Sequence, residues 1–254
     1  LLQDDTSQYV IALDEANGKQ VWQTAVASRY TNGQGNGPRA TPTVSDGTVY
    51  TFTGEGVLTA LNADDGERRW AVNPAEAFKV KPAEYGMASS PLIVGDAVVV
   101  QVGAKRAAVA AYNRKDGSLL WAAGSGAAGY SSPVVMTLAG QQQIVALIGA
   151  AVMGIDPVSG ETFWKFDYET EYDCNTASPV QLDDSSLLIS AGENHGSTIL
   201  KIAKNEGNFA ASAAWESLGK SSVLRAEWQT PILHEGHLFG MDNIGSAGPI
   251  TNLV

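Results

Sequence analysis

Residues 12–22 read ALDEANGKQVW: an apolar start, an Asn17-Gly18 break, and a large aromatic, Trp22, four residues after the glycine. The arrangement returns as ALNADDGERRW at 60–70, AYNRKDGSLLW at 111–121 and GIDPVSGETFW at 154–164. Two apolar runs joined by a glycine turn make a β-hairpin, with Gly18, Gly66, Gly117 and Gly160 supplying the backbone freedom the turn requires. Two independent markers keep one period. Trp22, Trp70, Trp121, Trp164 and Trp215 are 48, 51, 43 and 51 residues apart, and a Thr-Pro or Ser-Pro step recurs at Pro42, Pro91, Pro133, Pro179 and Pro231. A period in this range signals stacked supersecondary units.

The unit from Pro42 to Trp70 shows the content of one repeat. It carries an apolar strand, a Ser45-Asp46-Gly47 turn, a strand Thr48 to Thr53, a Gly54-Glu55-Gly56 turn, a strand Val57 to Leu61, the Asp64-Asp65-Gly66 turn and a strand to Trp70. That is a four-stranded antiparallel meander, A to D. A lone sheet of this size leaves a hydrophobic face uncovered, so the units must stack, and the size matches a propeller blade. The sequence therefore predicts an all-β chain, a β-propeller of about five four-stranded blades spanning 1–254 as one domain, incomplete at one or both ends. Each Trp falls on the outer strand, its ring against the neighbouring blade and its indole N–H directed at a carbonyl. Periodic aromatics of this kind are packing residues rather than a ligand platform.

Composition narrows the function. The 254 residues are 44% hydrophobic, enough for a large core, and 27 acidic against 16 basic side chains give a net charge of −11. Such a charge repels nucleic acid and anionic membrane surfaces. No apolar run is long enough to span a bilayer, and LLQDDTSQ at the start has no signal-peptide pattern. Cys174 stands alone, so no internal disulfide forms and the redox compartment stays open.

The pattern Ala-x-Asp-x-x-x-Gly-x-x-x-Trp, read in Ala12, Asp14, Gly18 and Trp22 and again in the later units, resembles the tryptophan-docking motif of the pyrroloquinoline quinone (PQQ) propeller repeats. That family holds quinoprotein alcohol dehydrogenases and cofactor-free members such as the outer-membrane barrel-assembly lipoprotein. The resemblance covers nearly the whole chain. The fifth copy, Leu200 to Trp215, departs by a longer turn, which leaves the docking of Trp215 open. The chain begins inside a blade and ends at GPITNLV, matching a C strand. Either these last strands close a ring with the first D strand, or the chain is part of a parent with six to eight blades; the larger rings of the family favour the second.

Antiparallel connectivity fixes which loops share a face. The D-to-A crossovers and B-to-C turns lie on one side, and the short A-to-B and C-to-D turns on the other. The crossover side carries the long, varied segments, where binding usually sits. Candidate ligand-binding residues at its rim are Arg39, Tyr85, Tyr130, Asn175, Glu193, His195, Glu227, Trp228 and Asn243, with Glu193, His195 and Asn243 assigned to B-to-C turns.

Specific chemistries fare poorly. By resemblance, PQQ catalysis needs a calcium-like ion on carboxylate and amide oxygens, a catalytic Asp and commonly a vicinal cysteine pair, which the single Cys174 cannot supply. His234 and His237 lack a third ligand and the helical spacing of a zinc protease. SLGKSS at 217–222 lacks the first glycine of a phosphate loop, and no Gly-x-Ser-x-Gly occurs. The reading is a periplasmic or extracellular scaffold, with no catalytic residues, metal or cofactor, docking a protein, a small polar ligand or a carbohydrate. The alternatives are a PQQ- and calcium-dependent dehydrogenase completed outside this chain, and a carbohydrate-binding propeller.

Overall fold

A computed structural model describes residues 1–243 and 251–254. The chain folds into successive antiparallel sheets in sequence order. The first has three strands, β1 (Leu2–Gln3), β2 (Ser7–Leu13) and β3 (Gln20–Ser28). Four complete meanders follow. They are β4 (Thr43–Ser45), β5 (Thr48–Phe52), β6 (Leu58–Asn62) and β7 (Arg68–Val72); then β8 (Leu92–Val94), β9 (Ala97–Ala104), β10 (Ala107–Asn113) and β11 (Leu119–Ala123). Next come β12 (Val134–Leu138), β13 (Gln141–Ile148), β14 (Ala151–Ile155) and β15 (Thr162–Asp167), and β16 (Val180–Gln181), β17 (Ser186–Ala191), β18 (Gly196–Asn205) and β19 (Asn208–Leu218). The last strands form two pairs, β20 (Ile232–His234) with β21 (His237–Phe239) and β22 (Met241–Asn243) with β23 (Thr251–Leu253). Gly248 to Ile250, within the expected final strand, lie outside the described residues.

The core lies between sheets. One cluster joins Tyr50, Phe52 and Leu58 of the second sheet to Val98, Val100 and Val102 of the third, and further clusters join the third to the fourth and the fourth to the fifth. Middle strands are buried on both faces, which is why β9 reads AVVVQVGA as a continuous apolar run with little alternation. Fourth strands such as β7 alternate toward solvent. This is the propeller architecture the repeat predicts.

Two inter-sheet devices account for the two sequence markers. Each of the first three indoles packs on the glycine of the next docking turn. A Cβ added to Gly117 would lie 2.8 Å from the Trp70 ring and one on Gly160 2.7 Å from Trp121, and the Trp22 ring covers Gly66 in the same way. These glycines also hold φ of +73° to +76°, so both conformation and space exclude a side chain. The indoles donate to equivalent carbonyls: Trp22 to Ala63 at 2.9 Å, Trp70 to Arg114 at 2.9 Å and Trp121 to Pro157 at 3.2 Å. Each acceptor follows an Asx residue whose side chain caps the turn, as Asn62 Oδ1 does for the Asp64 amide and Asp156 Oδ1 for the amides of Val158 and Ser159.

The second device uses the residue before each proline. The amide of Thr41 donates to the Ser90 hydroxyl (3.1 Å), Ser90 to Ser132 (2.9 Å), Ser132 to Ser178 (3.2 Å), and Ser178 to Thr230 (3.0 Å). One hydroxyl per sheet thus links the first strands in series, while the following proline fixes the entry into the strand.

Three details depart from the sequence reading. In the fifth unit β18 and β19 run on, paired, to a two-residue Glu206-Gly207 turn, so the docking turn that would serve Trp164 is absent and Trp164 loses the inter-sheet carbonyl; its indole donates instead to Gln143 Oε1 of its own sheet, at 2.6 Å. Trp215 is 42% exposed and does not dock. The first D strand, β3, pairs with β2 from its own unit, and among the described residues none of the last strands joins that sheet, as the five-bladed closure would require.

Candidate functional site

A cleft of about 820 Å³ opens on the crossover side. Five of the rim candidates line it: Arg39, Tyr85, Tyr130, Glu193 and Trp228. They come from four different D-to-A crossovers and one B-to-C turn, the set that antiparallel connectivity places on a single face. The crossovers also contribute Gln34, Tyr172, Cys174 and Thr176.

The walls are built locally. Tyr85 and Tyr130 stack with ring centroids 5.5 Å apart, and the Tyr85 amide donates to the Tyr130 hydroxyl at 3.3 Å. Burial raises the Tyr130 phenol to about 12, so it stays protonated. Arg39 is held by the carbonyls of Gly37 (2.5 Å) and Gly35 (2.7 Å), with its guanidinium 4.8 Å from the Tyr30 ring centre. Its charge meets no carboxylate among the described residues. Trp228 is 71% exposed, an unusual placement for an indole.

The remaining candidates lie elsewhere. Asn175 is fully buried: its amide donates to the carbonyls of Ile148 (2.8 Å) and Gly149 (2.9 Å), while its own carbonyl accepts the amides of Tyr130 and Ser131. It locates Tyr130 and cannot touch a ligand. His195 stands edge-on to Tyr168, ring centroids 4.5 Å apart, and burial lowers its pKa, so its ring is neutral behind the turn. Asn243 sits in β22, not in a turn, because the second strand continues past a break at Gly240; it is buried, and its amide donates to the Arg225 carbonyl. Its neighbour Asp242 forms a buried ion pair with Arg225 at 2.5 Å, which locks the last crossover to this strand.

Glu227 is buried beneath the cleft wall. Its side chain packs on Gly192, where any Cβ would collide with it, and one carboxyl oxygen has no partner among the described residues. Burial, then the neighbouring Glu193, push its pKa up to about 7. Burial and these two carboxylates together push the Cys174 thiol up to about 11, which makes it a poor nucleophile.

Sequence reasoning missed Tyr172, Cys174 and Thr176. Their crossover, DYETEYDCNTAS at 167–178, was as dense in aromatics as the segments that were singled out. Tyr172 lies in a short 3₁₀ turn at φ +60° and is 65% exposed.

Among the described residues no three His, Cys, Asp or Glu side chains converge to hold a metal ion, and Glu227, which holds its proton to about pH 7, is a poor calcium ligand.

Successive meanders riveted by indoles, with a polar and aromatic cleft on the crossover face, define a β-propeller of PQQ-like repeats. A family model described as "Outer membrane protein assembly factor BamB" matches residues 6–246, and the chain belongs to that family. Outer membrane protein assembly factor BamB of Escherichia coli (strain K12) is 34% identical over 121 residues, 45% of this chain and 28% of the relative. The matched part is thus under a third of that relative's length. Among solved structures, the quinohemoprotein alcohol dehydrogenase ADHIIG of Pseudomonas putida HK5 aligns with a TM-score of 0.54 at 14% identity, covering 96% of this chain and 50% of that one. The quinohemoprotein alcohol dehydrogenase of Comamonas testosteroni gives 0.51 at 16% identity, covering 82% and 40%. At these identities the likeness shows the fold alone. No helix among the described residues is long and apolar enough to cross a membrane.

Proposed function

We propose that the chain is a protein-docking propeller without a catalytic cofactor, working in the periplasm in outer-membrane protein assembly, and that it receives its partner in the crossover-face cleft. The observation that carries this reading is the convergence of Arg39, Tyr85, Tyr130, Glu193 and Trp228 on one cleft, with the Trp228 indole turned to solvent. Exposed Trp, Tyr and Arg beside a concavity are the residues that dominate protein interfaces. Family membership supports the partner class, since the matching relatives are named for assembling outer-membrane proteins. A carbohydrate occupant is the second reading, favoured by the stacked Tyr85–Tyr130 pair.

The test is co-purification of the full-length protein from cells, comparing the unaltered protein with Trp228→Ala. Recovery of outer-membrane assembly components should fall by about tenfold, the scale of one interface anchor, with an unchanged melting temperature. Undiminished recovery would overturn the reading. Retained recovery together with loss of oligosaccharide binding would replace it with the carbohydrate one.

A further inference from the structure

The acidic wall of the cleft differs in kind from the rest of its lining. Glu193 lines the cleft on the β17–β18 turn, at φ +50°, followed by Asn194 at φ +58°. Two successive non-glycine residues in the left-handed region are uncommon, and they hold the Glu193 side chain toward the opening. Behind it Glu227, only 2% exposed, leaves Oε2 without a hydrogen bond among the described residues. That carboxyl lies against Gly192, the residue before Glu193, and near enough to Cys174 for its charge to act on the thiol; Glu193 and Cys174 both line the cleft. Thr176, also in the lining, has a hydroxyl without a partner among the described residues as well.

Glu227 Oε2 accepts from nothing among the described residues, and the Glu193 carboxyl beside it is a like charge, so the pair shares a proton until a cation arrives from the cleft. Carboxylates gather here: Glu193, Asp173 and Glu84 act with Glu227 on the Cys174 thiol, and Arg225, two residues before Glu227, is committed to Asp242. The lining also carries the cation Arg39, so both charge signs meet in the cleft. A dipolar cleft floored by aromatic rings selects an occupant with a positive end directed at Glu193 and an apolar body lying along Tyr130 and Trp228.

Resting on the docking function proposed above, we infer that the Glu193–Glu227 pair is the seat for a lysine or arginine side chain of the docked protein. The cation pairs with Glu193 and, once there, favours ionisation of Glu227 behind it, so docking releases a proton. Because Glu227 holds its proton up to about pH 7, binding must tighten as the pH rises through that value.

The test uses the full chain and two probe peptides, acetyl-Phe-Gly-Lys-Gly-amide and its norleucine counterpart, with binding followed by isothermal titration calorimetry across pH 6 to 8. The lysine peptide should bind at least tenfold more tightly than the norleucine peptide, and the margin should widen toward pH 8. Glu193→Gln should abolish the margin, and Glu227→Gln should flatten its pH dependence while the melting curve reports an intact fold. Equal binding of the two peptides, or a margin that survives Glu193→Gln, overturns the inference. Co-purification of the unaltered protein separates the two levels: equal peptide binding with Trp228-dependent recovery sinks only the cation seat, whereas undiminished recovery for Trp228→Ala sinks the docking site itself.

Discussion

Glu227 shows how a single carboxyl can be identified from sequence yet have its role set by packing. Its position just before an inner strand places it in the last crossover, among the expected rim residues. Its burial came from Gly192, whose missing side chain opens the space the glutamate fills, a contact between residues 35 positions apart that no local pattern reveals. The consequence is a pH signature. With the folded pKa raised to about 7, folding favours the protonated form. Below the usual glutamate range both states are protonated and the site costs nothing; as the pH rises toward 7 only the unfolded chain ionises freely, so stability falls, then levels off. Glu227→Gln should therefore be more stable than the unaltered protein at about pH 8, on the order of 2 kcal/mol, and nearly equal to it at about pH 4.5. Thermal melts at the two values check this; a pH-independent difference would show that Glu227 is not held neutral by the fold.

At the scale of strands and turns, the docking motif was the most legible feature, because its chemistry is local and repeats. The spacing gave the hairpin, the glycine and the Trp. It did not give the partner of each indole: the carbonyl after the Asx belongs to the next unit, and only packing brings it to within 2.9 Å of Trp22. The same geometry explains why the fifth unit's altered turn affects Trp164 rather than Trp215, since a turn serves the preceding unit's indole. Trp121, buried on Gly160, should cost about 3–5 kcal/mol when changed to Ala. Trp215→Ala should cost under about 1 kcal/mol, as for an exposed residue. Urea denaturation of both variants checks the contrast, and equal losses would contradict the docking order.

Across the whole molecule, the sidedness of the loops followed from antiparallel connectivity alone, and the residues that line the cleft obey it. What connectivity withheld was depth: Asn175 lies in its crossover but is buried, because crossovers must satisfy their own buried amides before they can offer side chains to a ligand, and Asn243 falls in a buried strand rather than the expected turn. The proline markers were visible as a period, while the reason for the preceding Ser or Thr was not. The relay from Thr41 through Ser90, Ser132 and Ser178 to Thr230 exists only once the sheets are side by side. Ser132→Ala removes the acceptor of the Ser90 amide and should cost about 1–3 kcal/mol, read as a lowered denaturation midpoint. No loss of stability would mean the relay contributes nothing.

The claim that one face of this propeller docks a protein is tested most directly by site-specific photo-cross-linking in cells. A photoreactive residue replaces either Trp228 on the crossover face or Val158, 86% exposed on the short-turn face. Adducts with an outer-membrane assembly component should form from position 228 and not from 158. Adducts from 158 with none from 228 would contradict the account.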